Sequence, residues 1–265
     1  MISGSATNKH HSDCAQSVEL HDEQIARHFS AAAGQYAQHD ALQRMSRDVL
    51  LEHGRFASRM LDIGCGPGTA LAAQGVSHTT GVDIALGMLQ QARAQLTNFL
   101  PICANAECLP IQSQSIAGIY SNLALQWCDD LSLAIAEMQR VLQPRGYANI
   151  AIVTQGSLPQ LQQLGLHVNP FLTAETILKS FNKQQWQLAW HETQTLTCYF
   201  DDLKQLLYSI KGVGASTHTA NATQSKPVLS GRRSWQALQQ KASQLRTQEG
   251  MPLSYKIVFV CAQKR

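Results

Sequence analysis

The chain has 265 residues and a net charge of +3; 44% of its residues are hydrophobic, 15% charged and 6% aromatic. This length and apolar content suit one α/β domain with an insertion, or two small domains. No run approaches the roughly 18–20 consecutive apolar residues that span a bilayer, and few aromatic side chains are available to stack on bases, so we expect neither a membrane nor a nucleic-acid partner.

The N-terminal residues 1–18 are polar and rich in Ser, His and Asn, without the apolar stretch of a signal peptide, so they predict a disordered tail. The seven cysteines form no CxxC pair and have no histidines at metal-ligand spacing. An odd number of cysteines without a framework predicts buried free thiols in a reducing cytoplasm and no metal site.

Helices and strands alternate after an N-terminal helical segment at 22–53, whose apolar residues recur at helical spacing. A strand, a glycine-rich turn and the start of a helix follow over 59–74. Further strands are predicted at 78–84, 100–104, 116–121 and 146–154. Helices are predicted between them at 86–96 and 131–142. This alternation indicates a parallel sheet built by right-handed crossovers.

The alternation breaks after residue 154. Helical stretches are predicted at 158–164, 173–181, 203–210 and 234–245, and strands near 193–200 and at 253–262. We therefore assign 19–154 and 249–265 to the core, and 155–248 to a helical lid insertion that includes a core strand near 193–200. The predicted fold is α/β: a Rossmann-like, seven-stranded, mostly parallel sheet with helices on both faces and an antiparallel final strand.

The segment Leu-Asp-Ile-Gly-Cys-Gly-Pro-Gly-Thr at 61–69 has glycines at three alternate positions directly after a buried strand. Glycine is required where φ is positive or where a ligand approaches the backbone, and the amides of a helix beginning near 69–74 would face the same ligand. No lysine follows, which excludes a phosphate loop, and the spacing is not GxGxxG. Asp62 favours a cationic group, such as an α-amino group, over a pyrophosphate.

This pattern resembles motif I of the class I S-adenosylmethionine-dependent methyltransferases, although a glycine-rich turn without a ligand has the same appearance. The strand ends support a real site. Asp62, Asp83, Asn105 and Asn122 all follow predicted strands, and the carboxyl ends of parallel strands meet at one edge of the sheet. We expect these four side chains to line one crevice.

Each strand end has an expected partner in S-adenosylmethionine. Asp83 is placed to accept both ribose hydroxyls, or to cap the helix at 86–96. Asn105 occupies the position where the methyltransferase pattern has an acid, and its carbonyl oxygen can accept from the adenine amine. Asn122 and Leu123 are assigned to the methionine end. The expected cofactor-binding residues are Asp62, Gly64, Cys65, Gly66, Gly68, Asp83, Ile84, Met88, Asn105, Ala106, Asn122 and Leu123.

Several segments outside the glycine turn are similar to malonyl-acyl-carrier-protein O-methyltransferases of biotin synthesis. They are 121–128 (Ser-Asn-Leu-Ala-Leu-Gln-Trp-Cys), 154–161, 167–171, 200–202, 207–215 and 252–255. The resemblance runs from about Phe29 to the C-terminus. It implies methyl transfer from S-adenosylmethionine to the free carboxyl of a malonyl group on acyl carrier protein, with S-adenosylhomocysteine as the second product.

A malonyl carboxyl is ionised at neutral pH, so we expect no general base. Tyr36, Gln43 and Trp127 are candidates for aligning the reacting groups. Recognition of the carboxylate calls for a cation, most effectively arginine. The candidate substrate-binding residues are Gln126, Trp127, His167, Lys211, Arg232 and Arg233.

Residues 203–265 contain ten basic side chains and one acidic side chain. Such a surface would steer an acidic acyl carrier protein toward the crevice, although a solvated basic face gives the same count. Three alternatives stay open: a methyltransferase for a small carboxylic acid, one for a quinone-type acceptor, and a cofactor-binding partner protein without catalysis.

Overall fold

The computed structural model describes residues 22–31, 33–34, 40–69, 71–212 and 231–265. The predicted tail at 1–18 and the alignment candidate Tyr36 lie outside these residues, and so does the side chain of Lys211. Within the described part of the chain, no helix has the length and apolar character needed to cross a membrane.

The described helices and strands follow the predicted alternation. The helices are α1 (22–31), α2 (Ala41–His53), α3 (Leu86–Gln95), α4 (Leu131–Val141), α5 (Pro159–Gln163), α6 (Ala174–Lys179), α7 (Leu203–Gly212) and α8 (Arg232–Ser243). The strands are β1 (Arg59–Ile63), β2 (His78–Asp83), β3 (Phe99–Cys103), β4 (Ile116–Asn122), β5 (Leu142–Val153), β6 (Trp186–Phe200) and β7 (Met251–Lys264).

The seven strands form one sheet in the order β3-β2-β1-β4-β5-β7-β6. The neighbours from β3 to β5 are parallel, and β7 runs antiparallel to both β5 and β6. The predicted fold, with its antiparallel final strand, is confirmed. The carboxyl ends of β1 to β4 consequently meet at one edge, where a ligand crevice is expected.

Apolar side chains cover both faces of the sheet. On one face, Met138 of α4 and Ile177 of α6 belong to a cluster with Ile63, Ile119 and other strand residues. On the other face, α2 contributes Leu42 and Leu50 to a cluster with strand residues that include Met60, Tyr120 and Phe259. Burial on both faces explains why the parallel strands are rich in apolar residues without strict alternation.

The described helices α5, α7 and α8 pack together at the end of the sheet. Leu161, Leu206 and Leu238, one from each helix, form a cluster with Met251 and Leu253 at the start of β7. Because β7 is antiparallel, its start lies at the same edge as the carboxyl ends of the other strands. These three helices of the 155–248 segment therefore stand at the crevice edge of the sheet, beside β6 and β7, whereas α6 of the same segment packs on a face of the sheet.

Several local predictions differ from the structure: the helical segment at 22–53 is divided into α1 and α2, and the strand predicted at 146–154 begins at Leu142. The helix expected to begin at 69–74 is a single 3-10 turn at Ala72–Gln74, because Gly75 follows with φ 77° and β2 begins at His78. The strand expected near 193–200 extends back to Trp186. β6 is an edge strand, and the side chains of its first half are mostly exposed. The backbone hydrogen bonds to β7 stabilise this half, which shows no clear alternation of apolar and polar residues in the sequence.

Candidate active site

A crevice of about 780 Å³, partly open to solvent, lies at the carboxyl ends of β1 to β4 and is covered on one side by α1. The predicted cofactor residues that line it are Gly64, Gly66, Asp83, Ile84, Met88, Asn105, Ala106, Asn122 and Leu123. Their assignment to particular atoms of a ligand stays a prediction.

The glycine turn brings bare backbone to the crevice wall. Gly64 has φ 67°, and a Cβ there would lie 2.1 Å from the Cβ of Ala124. Gly66 has φ 53°, and a Cβ there would meet no protein atom within 4 Å because the position faces open space. Gly64 is therefore needed for packing of the turn against the 123–125 segment, and Gly66 leaves its backbone accessible to a ligand.

Three predicted residues stand behind this wall and do not line the crevice. The Cys65 side chain is buried, and Gly68 lies against Leu96 at the end of α3. Asp62 is only 1% exposed, and its Oδ2 atom has no hydrogen-bond partner among the described residues. Burial raises the pKa of Asp62 to about 7; a hydrogen bond from Thr69 lowers it and the charge of Asp83 raises it further.

Asp83 joins the two turns that border the crevice. Its Oδ2 accepts from the Gly66 amide at 2.9 Å and its Oδ1 accepts from the Ala85 amide at 2.8 Å. Burial raises the pKa of Asp83, and these backbone bonds oppose that effect. The side chain holds the turn before α3, whose N-cap is Ala85. A carboxylate has about four acceptor sites, so the ribose role remains open to it.

Asn122 is held by α2. Its Oδ1 accepts from the Ser46 hydroxyl at 2.6 Å, and its Nδ2 donates to the Gln43 carbonyl at 2.9 Å. Next to it, Leu123 is buried with φ 55°, an uncommon conformation for a branched residue. The Gln43 Oε1 and Gln126 Oε1 atoms near this strand end are buried and have no partner among the described residues.

The helix α1 covers the crevice with side chains that the sequence did not nominate: Asp22, Ile25 and Phe29. Phe29 packs edge-on against Trp127, with ring centroids 5.8 Å apart. The helical spacing of Ile25 and Phe29 indicated a buried face, but it could not identify what that face covers. Trp127, an alignment candidate, lines the crevice beneath this helix.

The crevice is acidic. Its charged lining residues are Asp22, Asp83 and Glu107, and no Lys, Arg or His is among the described lining residues. Burial and the surrounding carboxylates, led by Glu107, raise the pKa of the Cys128 thiol to about 12. Such a lining favours a cationic ligand and disfavours a phosphate.

The remaining substrate candidates do not line the crevice among the described residues. His167, Arg232 and Arg233 are exposed on the insertion. The side chain of Gln126 is half-buried and donates from Nε2 to the Leu123 carbonyl at 2.6 Å. In the described part of the chain, no group of three or more His, Cys, Asp or Glu side chains is arranged to hold a metal ion.

The predicted basic surface is divided between the two edges of the sheet. Lys204 on α7 and Arg232, Arg233 and Lys241 on α8 are exposed on the insertion. Lys264 is buried and donates to the Leu142 carbonyl at 2.7 Å, at the edge opposite the crevice. The positive charge of 203–265 is thus not confined to one face.

Comparisons with known proteins identify the family. A methyltransferase domain family matches residues 61–150. The chain is 37% identical to the malonyl-[acyl-carrier protein] O-methyltransferase of Salmonella typhimurium, over 75% of this chain and 82% of that protein. The chain belongs to the malonyl-[acyl-carrier protein] O-methyltransferase family. The resemblance found in the sequence is confirmed.

One further relative and one solved structure extend the comparison. The biotin biosynthesis bifunctional protein BioHC of Cellvibrio japonicus is 32% identical over 89% of this chain, which spans 49% of that protein. The YcgJ protein of Bacillus subtilis superposes with a TM-score of 0.54 at 19% identity, covering 83% of this chain and 97% of that one. At this identity the second match supports the fold alone.

The lining fits S-adenosylmethionine, the cofactor expected from the sequence. The open backbone at Gly66 and the carboxylate of Asp83 suit a nucleoside, and the acidic walls suit its positive charges. The orphaned Oδ2 of Asp62 lies buried behind the turn and lacks a hydrogen-bond donor. A buried acceptor without a donor is costly unless a ligand or water satisfies it.

Proposed function

We propose that this chain transfers a methyl group from S-adenosylmethionine to the free carboxyl of a malonyl group on acyl carrier protein, a step of biotin synthesis. The observation that carries the proposal is an acidic, backbone-lined crevice at the β1–β4 edge of a chain 37% identical to a protein of that name. Free thiols at all six described cysteines accord with a cytoplasmic enzyme.

When bound, S-adenosylmethionine supplies an electrophilic methyl group and a sulfonium sulfur that leaves as a neutral thioether. The protein's task is to position the acceptor oxygen in line with that methyl and to exclude water. Asp83 and the Gly66 backbone orient the nucleoside end of the crevice, and Asn122 and Leu123 border the methionine end. No side chain needs to remove a proton, because a carboxylate is already the nucleophile.

The methyl-transfer point is assigned to the 122–127 segment. Asn122 is held by α2, and Trp127 is held by Phe29 of α1, so the two N-terminal helices fix opposite sides of this segment. Gln43 and Gln126 each present a buried, unpartnered oxygen close to this strand end. Because an amide oxygen only accepts hydrogen bonds, we assign these two oxygens to the α-amino group at the methionine end, and a malonyl carboxylate could pair only with the amide N–H groups.

Recognition of the malonyl carboxylate needs a cation from outside the acidic lining. The charged side chains among the described lining residues, Asp22, Asp83 and Glu107, are all acidic, so the crevice itself offers no cation to a carboxylate held beside the methyl group. The candidates His167, Lys211, Arg232 and Arg233 lie in the 155–248 segment, whose helices α5, α7 and α8 stand at the same edge of the sheet as the crevice. A single cation suffices, since a strong ion pair would oppose formation of the uncharged ester.

The same insertion is the proposed docking surface for the acyl carrier protein. Around α7 and α8 it exposes Lys204, Arg232, Arg233, Lys241 and Arg246, which Asp201, Asp202 and Glu249 only partly offset. Acyl carrier proteins are acidic, and complementary charge speeds encounter more than it strengthens the final complex.

The test compares acceptors at equal concentration: malonyl-carrier, malonyl-CoA, free malonate and trans-aconitate, each with labelled S-adenosylmethionine. We expect the highest kcat/KM for malonyl-carrier. Preference for a free acid would replace the proposal with a small-carboxylic-acid methyltransferase. Cofactor binding without transfer to any acceptor would favour a non-catalytic partner protein.

A further inference from the structure

Two crevice side chains that are 83 residues apart form a hydrogen-bonded pair. Asn105 Nδ2, at the end of β3, donates to Asp22 Oδ2, at the start of α1, at 2.8 Å. Asn105 Oδ1 accepts from the Glu107 amide at 2.8 Å. Both members of the pair line the crevice. The amide is therefore engaged at both ends, and its donor end orients a carboxylate.

This pair changes the role assigned to Asn105. The oxygen expected to accept from the adenine amine already accepts a backbone bond, which fixes the local turn. Asp22 presents an acceptor that is charged, stronger than an amide oxygen, and able to take a second donor while it holds Asn105. We propose that Asp22 is the acceptor for the exocyclic amine of the cofactor's adenine, and that Asn105 is its positioning residue.

Two other crevice residues, Glu107 and Cys128, are affected by the charge of Asp22. Burial is the largest cause of the raised pKa of Glu107 and of the Cys128 thiol, and the Asp22 charge raises both further. Glu107 is a weaker candidate acceptor, because its Oε1 accepts from the Asp130 amide at 3.2 Å and ties it to the turn before α4. At the β3 end of the crevice, Asp22 is thus the carboxylate that α1 contributes.

The arrangement makes adenine recognition depend on α1. Asp22 starts that helix, and Phe29, two turns later, packs on Trp127. Ser30 also accepts the Gly87 amide at 3.3 Å, which joins α1 to the start of α3. An amine held by Asp22 would add one more bond between the ligand and the helix that covers it. The carboxylate missing from the β3 end is supplied by a segment far away in sequence.

The proposal concerns the cofactor alone, so its test uses binding without any acceptor. Calorimetry compares S-adenosylhomocysteine with its 6-deamino analogue, in which purine riboside replaces adenosine. The unmutated protein is expected to prefer the amine-bearing ligand by about tenfold or more, as for a hydrogen bond to a charged group. Asp22→Ala is expected to lose that preference, with little change in affinity for the deamino analogue.

The matched control is Glu23→Ala, which removes the neighbouring carboxylate from the same helix end; Glu23 is exposed and pairs with Arg27 at 3.0 Å. The control should keep the preference. The exchange Asp22→Asn with Asn105→Asp keeps one carboxylate and one amide at the pair and should restore the preference. The ligand preference of the exchanged pair can also be measured if Asp22→Ala does not fold.

An unchanged preference in Asp22→Ala would overturn the proposal, and so would loss of the preference in Glu23→Ala. Failure of the exchanged pair to discriminate between the two ligands would also overturn it. None of these outcomes bears on the identity of the methyl acceptor. A protein that binds S-adenosylhomocysteine through Asp22 and yet methylates no malonyl-carrier would sink the proposed function and leave this inference intact.

Discussion

The crevice and the insertion stand at the same edge of one sheet but are built by different means. The crevice uses turns with positive φ, backbone amides and buried carboxylates that lie within a few residues of a strand end, and α1 covers them. The insertion is an apolar cluster of short helices with exposed basic side chains. We propose that the contrast reflects two tasks: local backbone geometry recognises the cofactor, and an exposed basic surface meets the carrier protein.

Gly64→Ala should produce the largest effect on the crevice. The added Cβ would overlap Ala124 at 2.1 Å, in a backbone conformation that also disfavours alanine. We expect at least a hundredfold loss of S-adenosylhomocysteine affinity by calorimetry. Gly75→Ala is the matched control, because Gly75 has φ 77° but nothing within 4 Å. Both variants carry the backbone cost of roughly 1–2 kcal/mol, and only the first should lose binding.

Asp62→Asn should separate stability from binding. The raised pKa means that the folded protein holds this proton more tightly than the unfolded chain, whose value is 3.8. The associated stability is present at acidic pH and is lost as the pH rises from about 4 toward 7. At pH 8 and without cofactor, the melting temperature of the variant should be a few degrees higher than that of the unmutated protein. Each kcal/mol gained in the free energy of unfolding raises the melting temperature of a chain of this size by roughly 2–4 °C.

In the unmutated protein, Asp62 loses its proton around pH 7, so the affinity for S-adenosylhomocysteine should rise between pH 6 and 8. Asp62→Asn should bind this ligand more weakly and should show no such rise. Asp48→Asn, which removes an exposed acid on α2, is the control and should change neither quantity. A lower melting temperature of Asp62→Asn at pH 8 would contradict the buried-charge account.

Phe29→Ala tests whether α1 is part of the cofactor site. Loss of its contact with Trp127 should weaken S-adenosylhomocysteine binding about tenfold, mainly through faster dissociation, since an aromatic contact is worth about 0.5–1.5 kcal/mol beyond its buried area. Phe181 and Trp186 have the same edge-on geometry at 5.8 Å on the far side of the sheet. Phe181→Ala should cost about 3–5 kcal/mol of stability and leave the affinity unchanged. Equal affinities of the two variants would remove α1 from the site.

Charge reversal on the insertion should have the smallest effect. Lys204→Glu with Lys241→Glu, two exposed lysines that are not candidates for the malonyl carboxylate, is expected to lower kcat/KM for malonyl-carrier severalfold at low salt and to flatten its salt dependence, while transfer to malonyl-CoA stays unchanged. Lys183→Glu is the control, because this exposed residue precedes the start of β6 at the opposite edge. Unchanged kinetics in the double variant at low salt would sink the steering hypothesis.

Sequence reasoning predicted the sheet, the crevice and half of its lining because those features are local. The glycine turn, Asp83 and Asn122 each follow a strand directly, so strand order alone brings them to one edge. The roles of Asp22 and Phe29 depend on how α1 docks across β3 and β4, and no spacing in the chain encodes that contact. The carboxylate-binding cation is still harder to predict, because exposed basic side chains leave no pattern that separates binding from solvation.

The most direct test of the central claim is the chemistry of the product. Purified protein, S-adenosylmethionine and malonyl-carrier should yield a carrier whose intact mass rises by one methyl group, and mild alkali should release that group as methanol. Acetyl-carrier, which lacks the free carboxyl, should stay unmodified. A methyl group that survives alkali, or that also appears on acetyl-carrier, would contradict carboxyl methylation.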